Sequence, residues 1–299
     1  MKILLFGKEG QLGWELQRSL APLGELISLG EVNEKHCGDF VDLAGIAKTV
    51  RDIAPDIIVN AGAYTAVDKA QTETELAKIL NTSAPSILAA EARRIGAWMI
   101  HFSTDYVFDG GGDKPWKETD ATNPLSVYGM TKLAGDLAIR ESGCKHLIFR
   151  TSWVYAARGA NFAKTMLRLA QERDQLNVIN DQFGAPTGAD LLADVTAHSI
   201  LYAMRHPEVS GLYHLAASGV TTWYDYAKFV IESARSAGTT IKVTPESLHP
   251  IPSSAYHTAA PRPQNSRLDT RKLQDTFRLT LPDWQIGMNR MLTEIGENK

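Results

Sequence analysis

Two residues with acid–base chemistry, Tyr128 and Lys132, lie four positions apart in this chain of 299 residues. Residues at i and i+4 project from the same face of a helix, so the lysine ammonium is expected beside the phenol. A positive charge at about 4 Å favours a phenolate by roughly 4 kcal/mol, which lowers the phenol pKa. Such a phenol can act as a general acid. Downstream of a glycine-rich N-terminus, this pair predicts hydride chemistry with proton transfer by Tyr128.

A glycine-rich segment near the N-terminus is typical of a dinucleotide site. It follows an apolar run and reads Gly7-Lys8-Glu9-Gly10-Gln11-Leu12-Gly13. Glycines at the start of a helix allow a tight turn and let backbone amides approach a pyrophosphate. The spacing is Gly-x-x-Gly-x-x-Gly rather than the usual Gly-x-Gly-x-x-Gly, and a plain tight turn is the alternative interpretation.

Two further segments could contact the same cofactor. Asp39 and Phe40 follow a short insertion after the second predicted strand, where a carboxylate and an aromatic ring could cap an adenine. The third predicted strand ends in Asn60-Ala61-Gly62-Ala63-Tyr64-Thr65, whose small residues allow close backbone approach to a ligand. A solvated loop and a simple strand-ending turn are the alternatives.

The end of the second predicted strand leaves the choice between NADH and NADPH open. An acidic residue there would hold an adenosine ribose, whereas an arginine would accept a 2′-phosphate. This chain has Gly30-Glu31 at that place, no close arginine, and Lys35 as the nearest cation.

Hydroxyl-bearing residues follow the fourth predicted strand and read Ser103-Thr104-Asp105-Tyr106. They are expected at the carboxyl edge of a parallel sheet, where ligands bind in such folds. Thr104 can donate a hydrogen bond to a carbonyl oxygen alongside Tyr128 and stabilise the alkoxide that develops there. A Ser/Thr turn that only closes the strand is the alternative.

The elements that must position these residues form an alternating pattern. Apolar runs that predict strands alternate with periodic segments that predict helices, at residues 2–7, 25–29, 56–61, 97–103 and 146–152 for the strands. This pattern predicts an α/β fold with a doubly wound, Rossmann-like parallel sheet. A helix is predicted over 77–95, and Tyr128 falls on another over 126–142, with Ser126 as its N-cap.

The second half of the chain predicts a smaller, irregular C-terminal substrate lobe. The alternation loosens after residue 152, and prolines cluster between 245 and 263. The segments 177–181 and 211–216 resemble strands that could extend the first sheet. We therefore assign residues 1–152 and about 176–222 to an NAD(P)-binding domain, and about 153–175 and 223–299 to the lobe.

Composition excludes several classes of protein. A net charge of −3 gives no electrostatic case for nucleic acid or an anionic membrane as partner. No apolar run reaches the length of a membrane span. Cys37 and Cys144 have no close partner in sequence, so neither a disulfide framework nor a zinc site is indicated. We expect a cytoplasmic protein.

The motifs together resemble the extended short-chain dehydrogenase/reductase family. Besides the glycine-rich segment and the Tyr128–Lys132 pair, the resemblance rests on residues 65–70, 103–108, 150–155 and 180–187, and it covers essentially the whole chain. It implies reduction of dTDP-4-dehydro-L-rhamnose to dTDP-L-rhamnose by NADPH or NADH, in the synthesis of bacterial surface polysaccharide.

The resemblance also implies roles for individual residues. Lys132 would lower the Tyr128 pKa and bind the nicotinamide ribose, while Thr104 adjusts the site through a hydrogen bond. Contacts to the cofactor would come from Gly7, Gly10, Gln11, Leu12, Gly13, Asp39, Phe40, Ala61, Ala63, Tyr64 and Thr65. Contacts to the substrate would come from Thr104, Asp105, Trp153 and Arg262, with the arginine on the diphosphate.

Some members of the family hold a divalent cation at a subunit interface. Glu15 and Asp190 occupy the matching places in this chain, and hard oxygen ligands suit Mg²⁺. Solvated surface charges are the alternative. The resemblance implies a homodimer.

Other functions share most of these residues. A nucleotide-sugar epimerase or another reductase would keep the glycines, Tyr128 and Lys132. A dehydratase would carry an Asp-Glu pair after the active-site threonine, whereas here Tyr106 follows Asp105. A non-catalytic regulatory homologue is a further alternative, which the intact Thr104, Tyr128 and Lys132 set disfavours.

Overall fold

The computed structural model describes residues 1–32 and 35–297. In chain order the strands are β1 Lys2–Phe6, β2 Glu25–Leu29, β3 Ile57–Asn60, β4 Trp98–Thr104, β5 Lys145–Thr151, β6 Val154–Tyr155, β7 Leu176–Ile179, β8 Phe183–Gly184, β9 Thr187–Gly188, β10 Gly211–His214, β11 Thr221–Thr222 and β12 Leu248–Ile251. The α-helices are α1 Gln11–Leu20, α2 Leu43–Ile53, α3 Thr74–Lys78, α4 Ala84–Ile95, α5 Val127–Glu141, α6 Phe162–Glu172, α7 Ala189–Ala203, α8 Trp223–Ser236, α9 Arg271–Phe277 and α10 Trp284–Glu297. No helix within the described ranges is both long and apolar enough to cross a membrane.

Six strands form one parallel sheet in the order β10-β5-β4-β3-β1-β2. The first five predicted strands are confirmed to within two residues, and so is the α-helix that carries Tyr128. The chain runs outward from β1 to β2 and then crosses to β3 on the other side of β1. A crevice forms at such a switch point outside the carboxyl ends of the strands.

Helices cover both faces of this sheet, as the doubly wound fold predicts. Alternate side chains of β1 project to opposite faces, so Ile3 and Leu5 join one core while Leu4 and Phe6 join the other. The first core includes α1, α7 and α9, and the second includes α2 and α4. Burial on both faces explains why these strands are apolar without alternation.

The prediction that residues 177–181 could extend the first sheet is wrong. Strand β7 pairs in parallel with β12 in a separate two-stranded sheet. Leu176 and Val178 are buried in a core shared with Val243 and Leu248, which lies between α6 and α8. The segment is strand-like because these alternate side chains are apolar, but they face this smaller core. By contrast, β10 does join the first sheet beside β5.

The C-terminal part of the chain contributes to two separate cores. Leu273 and Phe277 of α9 pack in the core of the six-stranded sheet, although residues 223–299 were assigned to the lobe. A separate core collects residues of α6, α8 and α10, including Tyr226, Trp284 and Met288. Residues 298 and 299, at the end of the predicted lobe, lie outside the described residues.

Candidate active site

Helix α5 places Tyr128 and Lys132 at the carboxyl edge of the sheet. The helix begins after Ser126, whose hydroxyl accepts a hydrogen bond from the Gly129 amide at 3.2 Å. Such an N-cap satisfies an amide that would otherwise lack a partner in the helix. Lys132 is only 2% exposed, so its side chain projects into the protein rather than into bulk solvent.

The Lys132 ammonium lies beside strand β4. Its Nζ donates to the Phe102 carbonyl oxygen at 2.6 Å and lies 3.3 Å from Nε2 of His101. Burial lowers the pKa of Lys132 to about 8, and the Asp136 carboxylate opposes part of this shift. Sequence reasoning missed His101, because a histidine inside a predicted strand resembles an ordinary core residue.

The predicted lowering of the Tyr128 pKa is wrong for this structure. Burial raises the pKa of Tyr128 to about 12, Thr104 lowers it, and Asp105 and Asp136 raise it further. The phenol has lost solvent, and the Lys132 head group is directed to a backbone carbonyl of β4. Tyr128 therefore keeps its proton at neutral pH.

Thr104 and Asp105 form the turn that ends β4. The Thr104 hydroxyl accepts a hydrogen bond from the Tyr106 amide at 3.1 Å and donates to the Asp105 carboxylate at 3.2 Å. Burial raises the pKa of Asp105 to about 7, while the Ser266 and Thr104 side chains lower it. The strand-ending turn is real, and it presents a hydroxyl and a carboxyl group beside the Tyr128 phenol.

The glycine-rich turn between β1 and α1 has no room for a side chain at Gly7 or Gly13. Gly7 has φ of +84°, a conformation that favours glycine, and its carbonyl oxygen accepts from the Gly10 amide at 3.2 Å. A Cβ on Gly13 would come within 1.9 Å of that same carbonyl oxygen. This compact turn at the N-terminus of a ten-residue helix fits the pyrophosphate of a dinucleotide.

The segment after β3, residues 61–65, approaches the glycine-rich turn through its backbone. The Asn81 side chain accepts from the Tyr64 amide at 2.9 Å and donates to the Tyr64 carbonyl oxygen at 3.1 Å. The Tyr64 phenol instead donates to Glu73, so this side chain points away from the predicted cofactor. Asn81 belongs to a π-helical turn, Ile79–Ser83, that interrupts the predicted helix 77–95 and was not anticipated.

Phe40 and Asp39, which are predicted to cap an adenine, differ in their surroundings. The Phe40 ring is 6% exposed and packs against Phe6, with the ring centroids 5.6 Å apart. The Phe40 ring also packs against Gly62, because a Cβ added to Gly62 would lie 2.8 Å from the ring. The Asp39 carboxylate accepts from the Val41 amide at 2.8 Å. Phe40 is therefore a core residue next to the site.

Three aromatic residues and an arginine line the same cavity as these elements. Trp153 stacks on Trp223 with ring centroids 3.6 Å apart, and Phe162 lies 4.6 Å from Trp223. The Arg262 guanidinium forms two hydrogen bonds with the Asp68 carboxylate, at 2.7 and 3.1 Å. Sequence reasoning identified Trp153 and Arg262 but missed Phe162 and Trp223, which no motif distinguishes from core aromatics.

These elements surround one cavity of about 810 Å³. Of the predicted residues, those that line it are Gly7, Gly10, Gln11, Leu12, Ala61, Ala63, Thr65, Thr104, Asp105, Tyr128, Lys132, Trp153 and Arg262. Gly13, Asp39, Phe40 and Tyr64 are not in its lining. The cavity thus joins a dinucleotide turn, a phenol with its hydroxyl neighbour, and an apolar surface.

The two predicted metal ligands line a different cavity, of about 510 Å³. Glu15 lies 3.4 Å from Arg18, and Asp190 lies 3.4 Å from Arg290. Within residues 1–32 and 35–297, no group of three His, Cys, Asp or Glu side chains could hold a metal ion. The carboxylates of this chain therefore do not by themselves form a Mg²⁺ site. No catalytic step is assigned to a magnesium ion.

The structure combines a doubly wound parallel sheet, a glycine turn at its switch point, and Tyr128 and Lys132 on one helix. These features define an extended short-chain dehydrogenase/reductase with a nicotinamide cofactor. Residues 1–297 match the family described as the RmlD substrate binding domain, and the chain belongs to that family.

Similar proteins support this assignment over the full length. A dTDP-4-dehydrorhamnose reductase of Escherichia coli K12 is 62% identical, covering 99% of this chain and 98% of the relative. A structure of a dTDP-4-dehydrorhamnose reductase from Clostridium acetobutylicum has a TM-score of 0.88 at 32% identity, covering 99% of this chain and 100% of that one. One from Bacillus anthracis, in complex with NADP, has a TM-score of 0.86 at 31% identity, covering 98% and 100%.

Proposed function

We propose that this protein reduces the C4 ketone of dTDP-4-dehydro-L-rhamnose to the alcohol of dTDP-L-rhamnose, with NADPH or NADH as the reductant. The observation that carries the proposal is the single cavity that joins the glycine turn, Thr104, Tyr128 and Lys132. The names of the E. coli and C. acetobutylicum proteins support the choice of substrate.

The chemistry divides between the cofactor and the side chains. When bound, the reduced nicotinamide supplies a hydride, which forms the new C–H bond at C4. Tyr128 supplies the proton to the carbonyl oxygen, so that the C=O double bond becomes an alcohol. Because the pKa of Tyr128 is raised to about 12, the phenol carries this proton at neutral pH, as a general acid in the reducing direction must.

Thr104 and Lys132 assist this proton transfer in different ways. The Thr104 hydroxyl lies beside the phenol and lowers its pKa, so it would stabilise the phenolate left after proton transfer by turning its one hydrogen from Asp105 to the phenolate oxygen. The buried Lys132 ammonium supplies a positive charge close to the cofactor turn and donors for a ribose hydroxyl. Asp105, Trp153 and Arg262 face the same cavity and are proposed to contact the nucleotide sugar.

Several finer points belong to the same proposal. Backbone contacts from the turn at Gly7 to Gly10 and from Ala61 to Thr65 would hold the dinucleotide, while the choice between NADPH and NADH stays open. The division into a cofactor domain and a lobe, a homodimer and a cytoplasmic location also remain predictions. A magnesium ion finds no support in the ion-paired Glu15 and Asp190 side chains.

The test is to incubate the purified chain with dTDP-4-dehydro-L-rhamnose and either NADPH or NADH. We expect loss of the reduced-nicotinamide absorbance only when the sugar is present, and dTDP-L-rhamnose as the product identified by NMR. A protein that purifies with bound NAD⁺ and returns the hydride would instead be an epimerase. No turnover with any dTDP-4-ketosugar, together with a retained protein partner, would favour a regulatory homologue.

A further inference from the structure

The aromatic wall, defined as Trp153, Phe162 and Trp223, forms an apolar surface of the cavity that Thr104 and Tyr128 also line. All three side chains are part of the cavity lining and are partly exposed. The two indoles are 3.6 Å apart with an interplanar angle of 17°. The stacked rings cover each other's facing surfaces, so the cavity meets the parts of the two indoles that the stack leaves uncovered.

The backbone at Trp153 shows that this arrangement is specific. Trp153 has φ of +49°, which a bulky residue adopts only when its surroundings stabilise it. A Cβ on Gly184 would lie 2.7 Å from the Trp153 ring, so the indole is also confined on that side. The stack on Trp223 and the close contact with Gly184 hold Trp153 in a conformation that a solvated tryptophan would leave.

Trp223 is itself held at its polar edge. Its indole N–H donates to the Gln182 side chain at 3.1 Å, and Gln182 is 6% exposed. Trp223 opens helix α8, which begins after Thr222, and the Thr222 hydroxyl accepts from the Asp225 amide at 3.1 Å. With its N–H satisfied inside the protein, the indole offers the cavity only carbon surface.

We propose that Trp223 determines substrate specificity, by completing an apolar wall that packs against the C–H face and the methyl group of a 6-deoxysugar. This assignment rests on the proposed function. The C4 ketone must face Tyr128 and Thr104, and C5, which bears the methyl carbon, is the neighbouring ring atom. In the proposed pose the methyl group meets the wall, where a 6-hydroxyl group would lose its water without gaining a partner.

The test compares the binding of dTDP-L-rhamnose and dTDP by calorimetry in the wild type and in Trp223→Leu. We expect the preference for dTDP-L-rhamnose over dTDP to fall about tenfold in the variant, because one apolar contact surface is lost. The affinities for dTDP alone and for NADPH should change by less than about twofold, since those ligands contact other parts of the cavity. Trp14→Leu is the matched control, because Trp14 is 49% exposed and outside this cavity.

Trp223→Phe is a second variant, used in case Trp223→Leu fails to fold. It keeps an aromatic ring at this position. We expect it to retain most of the preference for dTDP-L-rhamnose and the circular dichroism of the wild type. A third ligand, dTDP-L-mannose, carries a hydroxyl on C6 and should bind the wild type about tenfold more weakly than dTDP-L-rhamnose. Trp223→Leu should lose that discrimination.

Three outcomes would overturn the assignment of the wall. They are an unchanged preference in Trp223→Leu, an equal loss of affinity for dTDP alone, and a wild type that does not distinguish the three ligands as stated. The proposed function fails separately. A wild type that does not reduce the 4-ketosugar, but whose Trp223→Leu variant loses the preference for dTDP-L-rhamnose, would reject the reaction and retain the wall.

Discussion

The two sides of the cavity are built differently. The sheet side consists of the turn after β1, the segment after β3, the end of β4 and helix α5. The lobe side consists of the aromatic wall and Arg262. On the sheet side, the stretches after β1, β3 and β4 follow neighbouring parallel strands, so the sheet brings them together, and α5 packs beside β4. On the lobe side, residues 153, 162, 223 and 262 come from separate segments that belong to no common sheet.

Different interactions hold the two sides in place. The sheet side depends on backbone geometry, as in the 3.2 Å hydrogen bond from the Gly10 amide to the Gly7 carbonyl oxygen. The lobe side depends on side chains far apart in sequence, such as the bidentate Asp68–Arg262 pair. We infer that the sheet side fixes the cofactor and the proton donor, whereas the lobe side selects the sugar. Each prediction below tests this division.

The largest effect is expected on the sheet side, from Tyr128→Phe. Loss of the positioned acid should reduce kcat by a factor of about a hundred or more, while NADPH binding stays nearly unchanged. Steady-state kinetics and a cofactor titration by fluorescence give both values. Tyr213→Phe is the control, because the Tyr213 hydroxyl donates to the Val209 carbonyl oxygen away from the cavity. Near-normal turnover of Tyr128→Phe would contradict the assigned role.

Gly13→Ala should weaken cofactor binding on the same side. Its new Cβ would lie 1.9 Å from the Gly7 carbonyl oxygen, and both groups belong to backbone that must then move. We expect the Kd for NADPH to rise about tenfold or more, and the affinity for dTDP to change little. Gly296→Ala in α10 is the control, because a Cβ there meets nothing within 4 Å and the residue does not line the cavity. Equal losses for both ligands would argue that the two sides are not independent.

Gly184→Ala is the counterpart on the lobe side. A Cβ at this position would meet the Trp153 ring at 2.7 Å and push the indole toward the cavity or off Trp223. We expect kcat/KM for the nucleotide sugar to fall by about tenfold through KM, with an unchanged Kd for NADPH. An effect confined to NADPH binding would contradict the inference that the lobe side selects the sugar.

Asp68→Asn should have a smaller effect, again on the sugar alone. The carboxylate accepts two hydrogen bonds from Arg262 and one from the Ala260 amide at 3.0 Å, so it positions the guanidinium at the cavity. An amide keeps the shape but removes the charge. We expect KM for the nucleotide sugar to rise about fivefold with kcat nearly constant.

The control for this variant is Asp194→Asn, which breaks the 2.9 Å pair with Arg18 outside the cavity. It should leave both kinetic constants unchanged. A matching rise in the KM for NADPH in Asp68→Asn would indicate that the ion pair supports the whole cavity rather than Arg262 alone.

The smallest effect concerns the pH dependence of stability through Asp105. Because burial raises the pKa of Asp105 to about 7, the folded protein keeps this proton between about pH 4 and 7, where the unfolded chain has released it. The free energy of unfolding therefore falls as the pH rises through this window. Asp105→Asn should raise Tm by a few °C more at pH 8 than at pH 5. The same change in Tm at both pH values would reject the raised pKa.

The outcome of the sequence predictions follows the same division. The glycine turn, the segment after β3 and the end of β4 lie where the sequence predicts them, because each follows a strand recognisable by its apolar run. Gly13, Asp39, Phe40 and Tyr64 do not line the cavity, and a sequence position alone does not show whether a residue faces the cavity or the core. On the lobe side, Trp153 and Arg262 were named only through family resemblance, and Trp223 was missed.

The amino-acid sequence by itself determined the parallel sheet, the glycine turn and the shared helical face of Tyr128 and Lys132. Each of these depends on local periodicity or on the fixed hand and direction of neighbouring strands. Only the tertiary structure decided which aromatic residues meet across the cavity, where the Lys132 ammonium lies and how burial shifts the pKa of Tyr128. Those properties depend on contacts between distant segments and on the loss of solvent around each group, which no local pattern encodes.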